Sequence, residues 1–333
     1  MTRIVTAQDD TIAEAAALLR AGGLVAMPTE TVYGLAANAL DGVAVARIFE
    51  AKGRPSFNPL IVHVSDFEAA AKLVEMGPDA RAVASIFWPG PLTMILPRRA
   101  DCGIAELCSA GLPTLAVRVP AHPVAQALLR AAQIPLAAPS ANRSGSLSPT
   151  TPMHVAESLG DKVDMILAAG ACDVGLESTV LDLSGEMPVI LRAGAITAEE
   201  LSMVLDCDVT YDTQEKTADD KPKSPGQLLR HYAPSVPVRL NAVDVVPGEA
   251  LLAFGSTKFM GIRGGGAAKD LHENLLRNLS EEADLVTAAA NLFRMLHDLD
   301  KSGAKQIAVM NIPDQGLGIA INERLRKAEA GTR

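Results

Sequence analysis

DTIAEAAALLRAGGLVAMPTETVYG, Asp10 to Gly34, is the stretch on which the fold turns. Asp10 to Ala21 is rich in Ala and Leu, the strongest helix formers, and Gly22 and Gly23 stop it. Leu24 to Met27 is a short continuous apolar run, too short for another helix and suited to a strand buried on both faces. It runs into Pro28–Gly34, a polar loop punctuated by Pro and Gly. A helix, a glycine stop, a buried strand and a polar loop at the strand end make the repeating unit of an α/β sheet.

The same alternation continues outward. Strands are predicted over Leu60–Val64, Thr93–Leu96, Leu115–Val119, Pro135–Ala138, Met165–Leu167, Thr179–Leu183 and Val189–Leu191. Helices are predicted over Val43–Ala51, Phe67–Glu75, Val124–Ala132 and Met153–Leu159. The fold class is therefore α/β, a twisted open sheet covered by helices, over residues 1–205. Tyr211–Ser224, YDTQEKTADDKPKS, is charged and almost free of large apolar residues, so a solvated linker is expected within 206–235. A smaller α/β domain is expected over 236–333. Ala250–Phe254 and Gln306–Met310 read as its strands, and Leu285, Ala289, Leu292, Leu296 and Leu299 share one helical face.

With 48% hydrophobic and 21% charged residues in 333, there is ample core material. Only 3% is aromatic, so Ala, Val, Leu and Ile must fill the cores. The net charge of -9 argues against broad, nonspecific binding to nucleic acid or membrane. No run of 18 apolar residues occurs, and MTRIVTAQDD lacks the pattern of a signal peptide, so a cytoplasmic location is expected. Cys102, Cys108, Cys172 and Cys207 are scattered without metal spacing, which suits structural thiols in a reducing compartment.

Charge is distributed unevenly. Leu107–Ala156 holds no Asp or Glu, although the chain has 39 and an even spread would put about six there. Arg118, Arg130 and Arg143 lie inside it, and KGRPSFNPLIVH (Lys52–His63) is likewise acid-free. Two basic, acid-free stretches point to one pocket for a polyanion, since nearby carboxylates would repel phosphate. Arg118, between Val117 and Val119, projects to the face opposite them, toward either solvent or an anion. The loops PTETVYG and PSANRSG follow strands, where open α/β sheets place ligands. There is no P-loop, no nucleophile elbow and no His pair at metal spacing; Gly316-Leu317-Gly318 lacks the third glycine of a dinucleotide loop. A polyanion pocket without a nucleophile or a metal cage suits nucleotidyl transfer by positioning and charge stabilisation.

Six motifs then occur in order: PTETVYGL (28–35), KGRP with NPL (52–60), FWPGPLT (87–93), AVRVP (116–120), PSAN (139–142) and ESTV (177–180). Together with SPG and RHYAP (224–234) and GLGIAINERLRKA (316–328), they closely resemble the threonylcarbamoyl-AMP synthase family in its long form. The resemblance covers essentially the whole chain. It implies a YrdC-like domain at 1–205 and a Rossmann-like α/β domain at 236–333; within the linker 206–235, the segment SPGQLLRHYAP (224–234), where Arg230, His231 and Tyr232 crowd beside Pro234, is expected to fold over the nucleotide as a lid. It also implies conversion of L-threonine, bicarbonate or CO2, and ATP to L-threonylcarbamoyl-AMP and pyrophosphate, for modification of adenosine 37 of tRNA.

By the same resemblance, Lys52 and Arg54 match triphosphate-binding residues, with Arg118 completing the expected catalytic set. Asn58, Thr114, Ser140, Asn142, Ser148 and Arg192 match nucleotide contacts, and Tyr232, in the expected lid, would close the nucleotide pocket. Thr31, His63, Arg118, Ser178 and the backbone at Ala138 match positions that hold threonine. Mg2+ is expected with the triphosphate, held by phosphates and water rather than by protein ligands. tRNA threonylcarbamoyltransferase proteins are the implied acceptors of the product. Other readings are an RNA-binding module without turnover, a carbamoyl-phosphate-using relative, and an ATP-binding regulator. The acidic charge, the missing acylphosphatase-like and zinc-finger segments, and the complete motif set count against them respectively.

Overall fold

The computed structural model describes residues 2–212, 222–226, 231–258 and 260–332. The chain divides into two compact units: 1–144, 149–173 and 177–228 form the first, and 145–148, 174–176 and 229–333 the second. The first unit is built on β1 (Arg3–Thr6), β2 (Val25–Met27), β3 (Gly34–Asn38), β4 (Ile61–His63), β5 (Leu92–Pro97), β6 (Thr114–Arg118), β7 (Leu136–Ala137), β8 (Met165–Ala168), β9 (Thr179–Asp182), β10 (Val189–Arg192) and β11 (Thr210–Tyr211). Among the described residues these make one mixed sheet of eleven strands, in the order β1-β8-β2-β3-β7-β4-β6-β5-β9-β10-β11. Its helices are α1 (Asp9–Arg20), α2 (Gly42–Lys52), α3 (Phe67–Ala71), α4 (Pro78–Phe87), α5 (Glu106–Ser109), α6 (Pro123–Ala132), α7 (Pro152–Leu159) and α8 (Ala198–Leu205).

Alternation along the strands separates two faces. On one face Ala26, Leu35, Ala137, Val62, Val117, Met94 and Leu181 join a large core with α2, α4 and α8. On the other, Val25, Met27, Ala36, Leu136 and Leu167 pack against Ile12, Ala15, Ala16 and Leu19 of α1 and against Leu128, Leu129 and Ala132 of α6. That helical cover ends at β7. The register pairs Leu136 of β7 with His63 of β4, so the face carries on across β4, β6, β5 and β9. There its apolar part is a separate small cluster, Ile61, Ala116, Ile95 and Val180. One half of the sheet face is thus packed by helices, and the other half is the floor of the site.

The second unit contains a four-stranded parallel sheet, β12 (Val238–Arg239), β14 (Glu249–Ala253), β16 (Leu276–Asn278) and β17 (Gln306–Val309), in the order β12-β17-β14-β16. A small parallel pair, β13 (Asp244–Val245) and β15 (Gly261–Ile262), lies beside it in sequence, and the helices are α9 (Leu285–Asp300) and α10 (Leu317–Thr332). Asp284 caps α9, its side chain accepting from the Thr287 N–H at 2.7 Å. No helix among the described residues is long and apolar enough to cross a membrane.

Two sequence expectations need correction. The solvated linker does not start at Tyr211: Thr210 and Tyr211 pair with Val189 and Ile190 as an edge strand of the first sheet. Nor does it run to Ser224, which is fully buried, while Lys223 meets Asp182 at 3.3 Å. Charge alone does not keep a segment in solvent when its backbone can complete a sheet edge. Residues 213–221 of that stretch lie outside the described residues, as does Arg230.

Candidate active site

The site is assembled from the loops that follow β2 and β7 and from side chains on β4, β6, β5 and β9, where the cover of α1 and α6 has ended. Pro28–Tyr33 follows β2, and its end is tied to the loop after β7: Leu35 N–H donates to Pro139 O at 2.7 Å and Ala141 N–H to Tyr33 O at 2.8 Å. The two loops approach closely at Gly34, where an added Cβ would stand 3.3 Å from Ala138 Cβ. Tyr33 is a core residue, its hydroxyl donating to Gly170 O at 2.8 Å.

On the strands, His63, Arg118 and Thr93 stand in register on neighbouring β4, β6 and β5, and therefore on one face. Arg118 is 3% exposed. Its Nε donates to Gly90 O at 3.2 Å, Nη1 to Thr31 Oγ1 at 3.0 Å and Nη2 to Glu30 Oε1 at 2.6 Å. Gly90 tolerates no side chain, because a Cβ there would lie 2.3 Å from Phe87 O. Thr31 Oγ1 also meets Thr29 Oγ1 at 2.8 Å. Thr93 Oγ1 and Ser178 Oγ are 2.7 Å apart, and Arg192 holds Ser178 through Nη2, at 2.9 Å from its carbonyl and 3.1 Å from its hydroxyl. Arg192 Nη1 reaches Pro225 O at 3.3 Å, so 222–226 docks on the first unit beside Ser178.

Burial tunes these groups. Desolvation, reinforced by the Arg118 charge, pushes His63 down to about 3, so the ring is neutral, and its buried Nδ1 has no hydrogen-bond partner. Burial alone would raise the Glu30 carboxyl. The charge and hydrogen bond of Arg118, helped by the backbone N–H groups of Glu30 and Ala121, hold it below the usual carboxylate range instead.

A second group forms where α2 ends. Lys52 Nζ donates to Ser140 O at 2.5 Å and Asn142 O at 2.6 Å, and Ser144 N–H returns to Lys52 O at 2.8 Å. Burial, with the Arg54 charge adding to it, pushes Lys52 well below the ordinary lysine value. Arg54 Nη2 donates to Pro59 O at 2.9 Å, and Asn58 Oδ1 is buried without a partner. Thr114 lies on the same face of β6 as Ala116 and Arg118, roughly 13 Å from Arg118 at about 3.3 Å per residue. The apolar floor of Ile61, Ala116, Ile95 and Val180 therefore separates two polar ends.

The first unit brings together Thr31, His63, Arg118 and Ser178, and separately Lys52, Ser140 and Asn142, with Arg54 and Asn58 following in sequence. The Ala138 N–H is committed to Ile61 O at 3.0 Å. Ser148 and Tyr232 belong to the second unit. There the Tyr232 ring is buried, with its centroid 4.0 Å from that of His231 and 5.5 Å from that of Phe293, and Arg324 over it at 5.4 Å. The idea of an acid-free pocket is corrected: Glu30 is ion-paired with Arg118 inside it. Absence of acids along a stretch says nothing about acids that folding brings from elsewhere. Glu30 and Thr93 stand inside quoted motifs without being singled out, because neither a carboxylate between two threonines nor a hydroxyl between apolar residues carries a local sign of its partner.

Comparison with known proteins accords with this architecture. A family profile described as Telomere recombination matches residues 17–194, and one described as Threonylcarbamoyl-AMP synthase, C-terminal domain, matches 196–330. The threonylcarbamoyl-AMP synthase of Bacillus subtilis is 40% identical, over 99% of this chain and 96% of its own. That of Pyrococcus abyssi is 42% identical over 94% of this chain and 92% of its own. The crystal structure of P. abyssi Sua5 complexed with L-threonine superposes with a TM-score of 0.86 at 37% identity, covering 100% of this chain and 98% of that one. Similarity that runs through both units, in sequence and in backbone, settles the kinship: the chain belongs to the threonylcarbamoyl-AMP synthase family.

Proposed function

We propose that the chain makes L-threonylcarbamoyl-AMP and pyrophosphate from L-threonine, bicarbonate or CO2, and ATP, as a nucleotidyl transfer. The observation that carries this is the half of the sheet face that no helix of the first unit packs, with a buried Arg118–Thr31–His63 end and a buried apolar strip leading to Thr114, in a chain similar over its full length to enzymes of that name. The threonine ammonium first gives up one proton; the free amine nitrogen then bonds to the carbon of CO2 and loses a second, or, with bicarbonate, that carbon sheds hydroxide, which leaves with the second proton as water. The resulting carbamate oxygen bonds to the α-phosphorus, and the bond between that phosphorus and the departing pyrophosphate breaks.

In this reading Arg118, Thr31, His63, Ser178 and the Ala138 backbone hold threonine. A guanidinium suits a carboxylate or carbamate, and a neutral imidazole adds no competing charge. Lys52, Arg54 and Asn58 serve the triphosphate, and Thr114, Ser140, Asn142, Ser148, Arg192 and Tyr232 the rest of the nucleotide. Mg2+ would supply charge neutralisation on the phosphates. An ion of this kind is carried mainly by phosphate and water. The product would pass to tRNA threonylcarbamoyltransferase proteins for modification of adenosine 37. A cytoplasmic setting suits four cysteines that remain free thiols.

The direct test is pyrophosphate release with each amino acid in turn. Release is expected to need both L-threonine and bicarbonate, with serine poorer by about 1–3 kcal/mol for the missing methyl group. Equal release without threonine would refute the assignment. We further propose 1–205, completed by the edge strand β11, as the catalytic domain, the rest of 206–235 as linker and lid, and 236–333 as the second domain. A chain ending at Asp212 keeps the β11 pairing of the first sheet. It is expected to consume ATP without accumulating the intermediate, because water reaches the carbamate and the adenylate. Coupled, undiminished synthesis by that chain would reduce the rest of 206–235 to a spacer.

A further inference from the structure

Glu30, 8% exposed, stands in the loop between β2 and β3. Its Oε1 accepts from Arg118 Nη2 at 2.6 Å; the backbone N–H groups of Glu30 and Ala121 lie near enough to favour the charge, but none makes a hydrogen bond of good geometry to the buried Oε2. An arginine whose task was only to neutralise this carboxylate would engage both oxygens side by side. Here the guanidinium is turned away, with Nε on Gly90 O and Nη1 on Thr31 Oγ1. Three of its five N–H groups are used in these bonds, and two remain for an anion. A carboxylate oxygen in need of a donor thus lies beside a cation with donors to spare. His63, which feels the charges of both Arg118 and Glu30, contributes another partnerless atom, Nδ1.

We propose that Glu30 Oε2 accepts from the amino group of the amino-acid substrate, so that Glu30 and Arg118 together recognise the two charges of one zwitterion. Burying a lone carboxylate oxygen is unfavourable until a donor meets it, and an ammonium is the donor that also matches its charge. The role is one of binding and orientation. Glu30 is held ionised by Arg118 and aims the substrate nitrogen without making a covalent bond. The proposal rests on the threonine reading above and adds a residue that reading does not use.

Binding of L-threonine is compared by calorimetry with that of 2,3-dihydroxybutyrate of the same configuration, in which a hydroxyl replaces the amine. The wild-type protein is expected to favour threonine by on the order of 10- to 100-fold. Glu30→Gln keeps an oxygen for Arg118 but loses the charge, and should shrink that preference to a few-fold. If the two ligands weaken by the same factor in Glu30→Gln, the residue acts only by holding Arg118 and the proposal fails. Equal binding of both ligands by the wild-type protein also overturns it, with no variant needed. Threonine-dependent pyrophosphate release is measured in parallel: its absence strikes the synthase reading, whereas its presence alongside equal binding strikes only the role of Glu30.

Discussion

Arg118→Ala is expected to lose threonine-dependent activity and a large part of the stability of the first unit together. The Arg118 and Glu30 side chains are 4% and 10% exposed, and removing one partner of a buried pair costs about 3–5 kcal/mol because the other charge stays buried. Loss of a charge-assisted contact to substrate adds about 1.5–3 kcal/mol, roughly 10- to 150-fold in kcat/KM for threonine. Lysine should not rescue. One ammonium cannot meet Gly90 O, Thr31 Oγ1 and Glu30 Oε1 in the planar arrangement the guanidinium uses.

The pH dependence carries its own sign. Glu30 is held below its unfolded value, so it contributes stability above the unfolded pKa and loses it as pH falls through the folded one. In Arg118→Ala the desolvation is left without its counterweight, and the variant should gain stability toward acid where the wild type loses it. Thermal unfolding across pH 3–7, beside steady-state kinetics in threonine, checks both parts. A folded Arg118→Ala protein with unchanged threonine kinetics would return this arginine to a purely structural role.

Lys52→Ala is expected to act mainly on ATP. Its Nζ joins Ser140 O and Asn142 O, so the substitution removes a positive charge and also releases the loop that follows β7. Two carbonyls lose a charged donor, and the KM for ATP should rise by on the order of 10- to 100-fold with threonine affinity little changed. Burial and Arg54 depress the folded pKa of Lys52 well below 10.5. ATP affinity should therefore fall with rising pH before an ordinary lysine would titrate. Conformational stability runs the other way. Between the folded and unfolded pKa values the unfolded chain binds more protons, so stability rises with pH there, and Lys52→Ala should flatten that rise. An ATP affinity that stays level up to the ordinary lysine pKa would refute the charged, buried role.

Local pattern determined most of the elements. The apolar run Leu24–Met27 behind Gly22 and Gly23 became β2, and the Ala-rich stretch before it became α1, because period and breakers act within a few residues. Gly34–Asn38 (GLAAN) carries no such signal, with neither β-branched nor aromatic residues. It is a strand only because β2 and β7 pair with it on both sides. Thr210–Tyr211 is another case, a dipeptide made strand by the open edge of β10.

For the site, the sequence by itself determined which motifs supply it and that Arg118 points away from Val117 and Val119. It could not say what Arg118 meets. Glu30 and Thr31 come from a loop 88 and 87 residues away, and only the sheet order, which sets β6 between β4 and β5, brings that loop over the guanidinium. Tertiary structure likewise decided that Lys52 grips backbone carbonyls and that Tyr232 packs within the second unit. The physical reason is one of range. Propensity and periodicity are properties of neighbours along the chain, whereas the partner of a buried charge is chosen by topology, which folds distant residues onto one face and leaves each ion to find its counter-charge there.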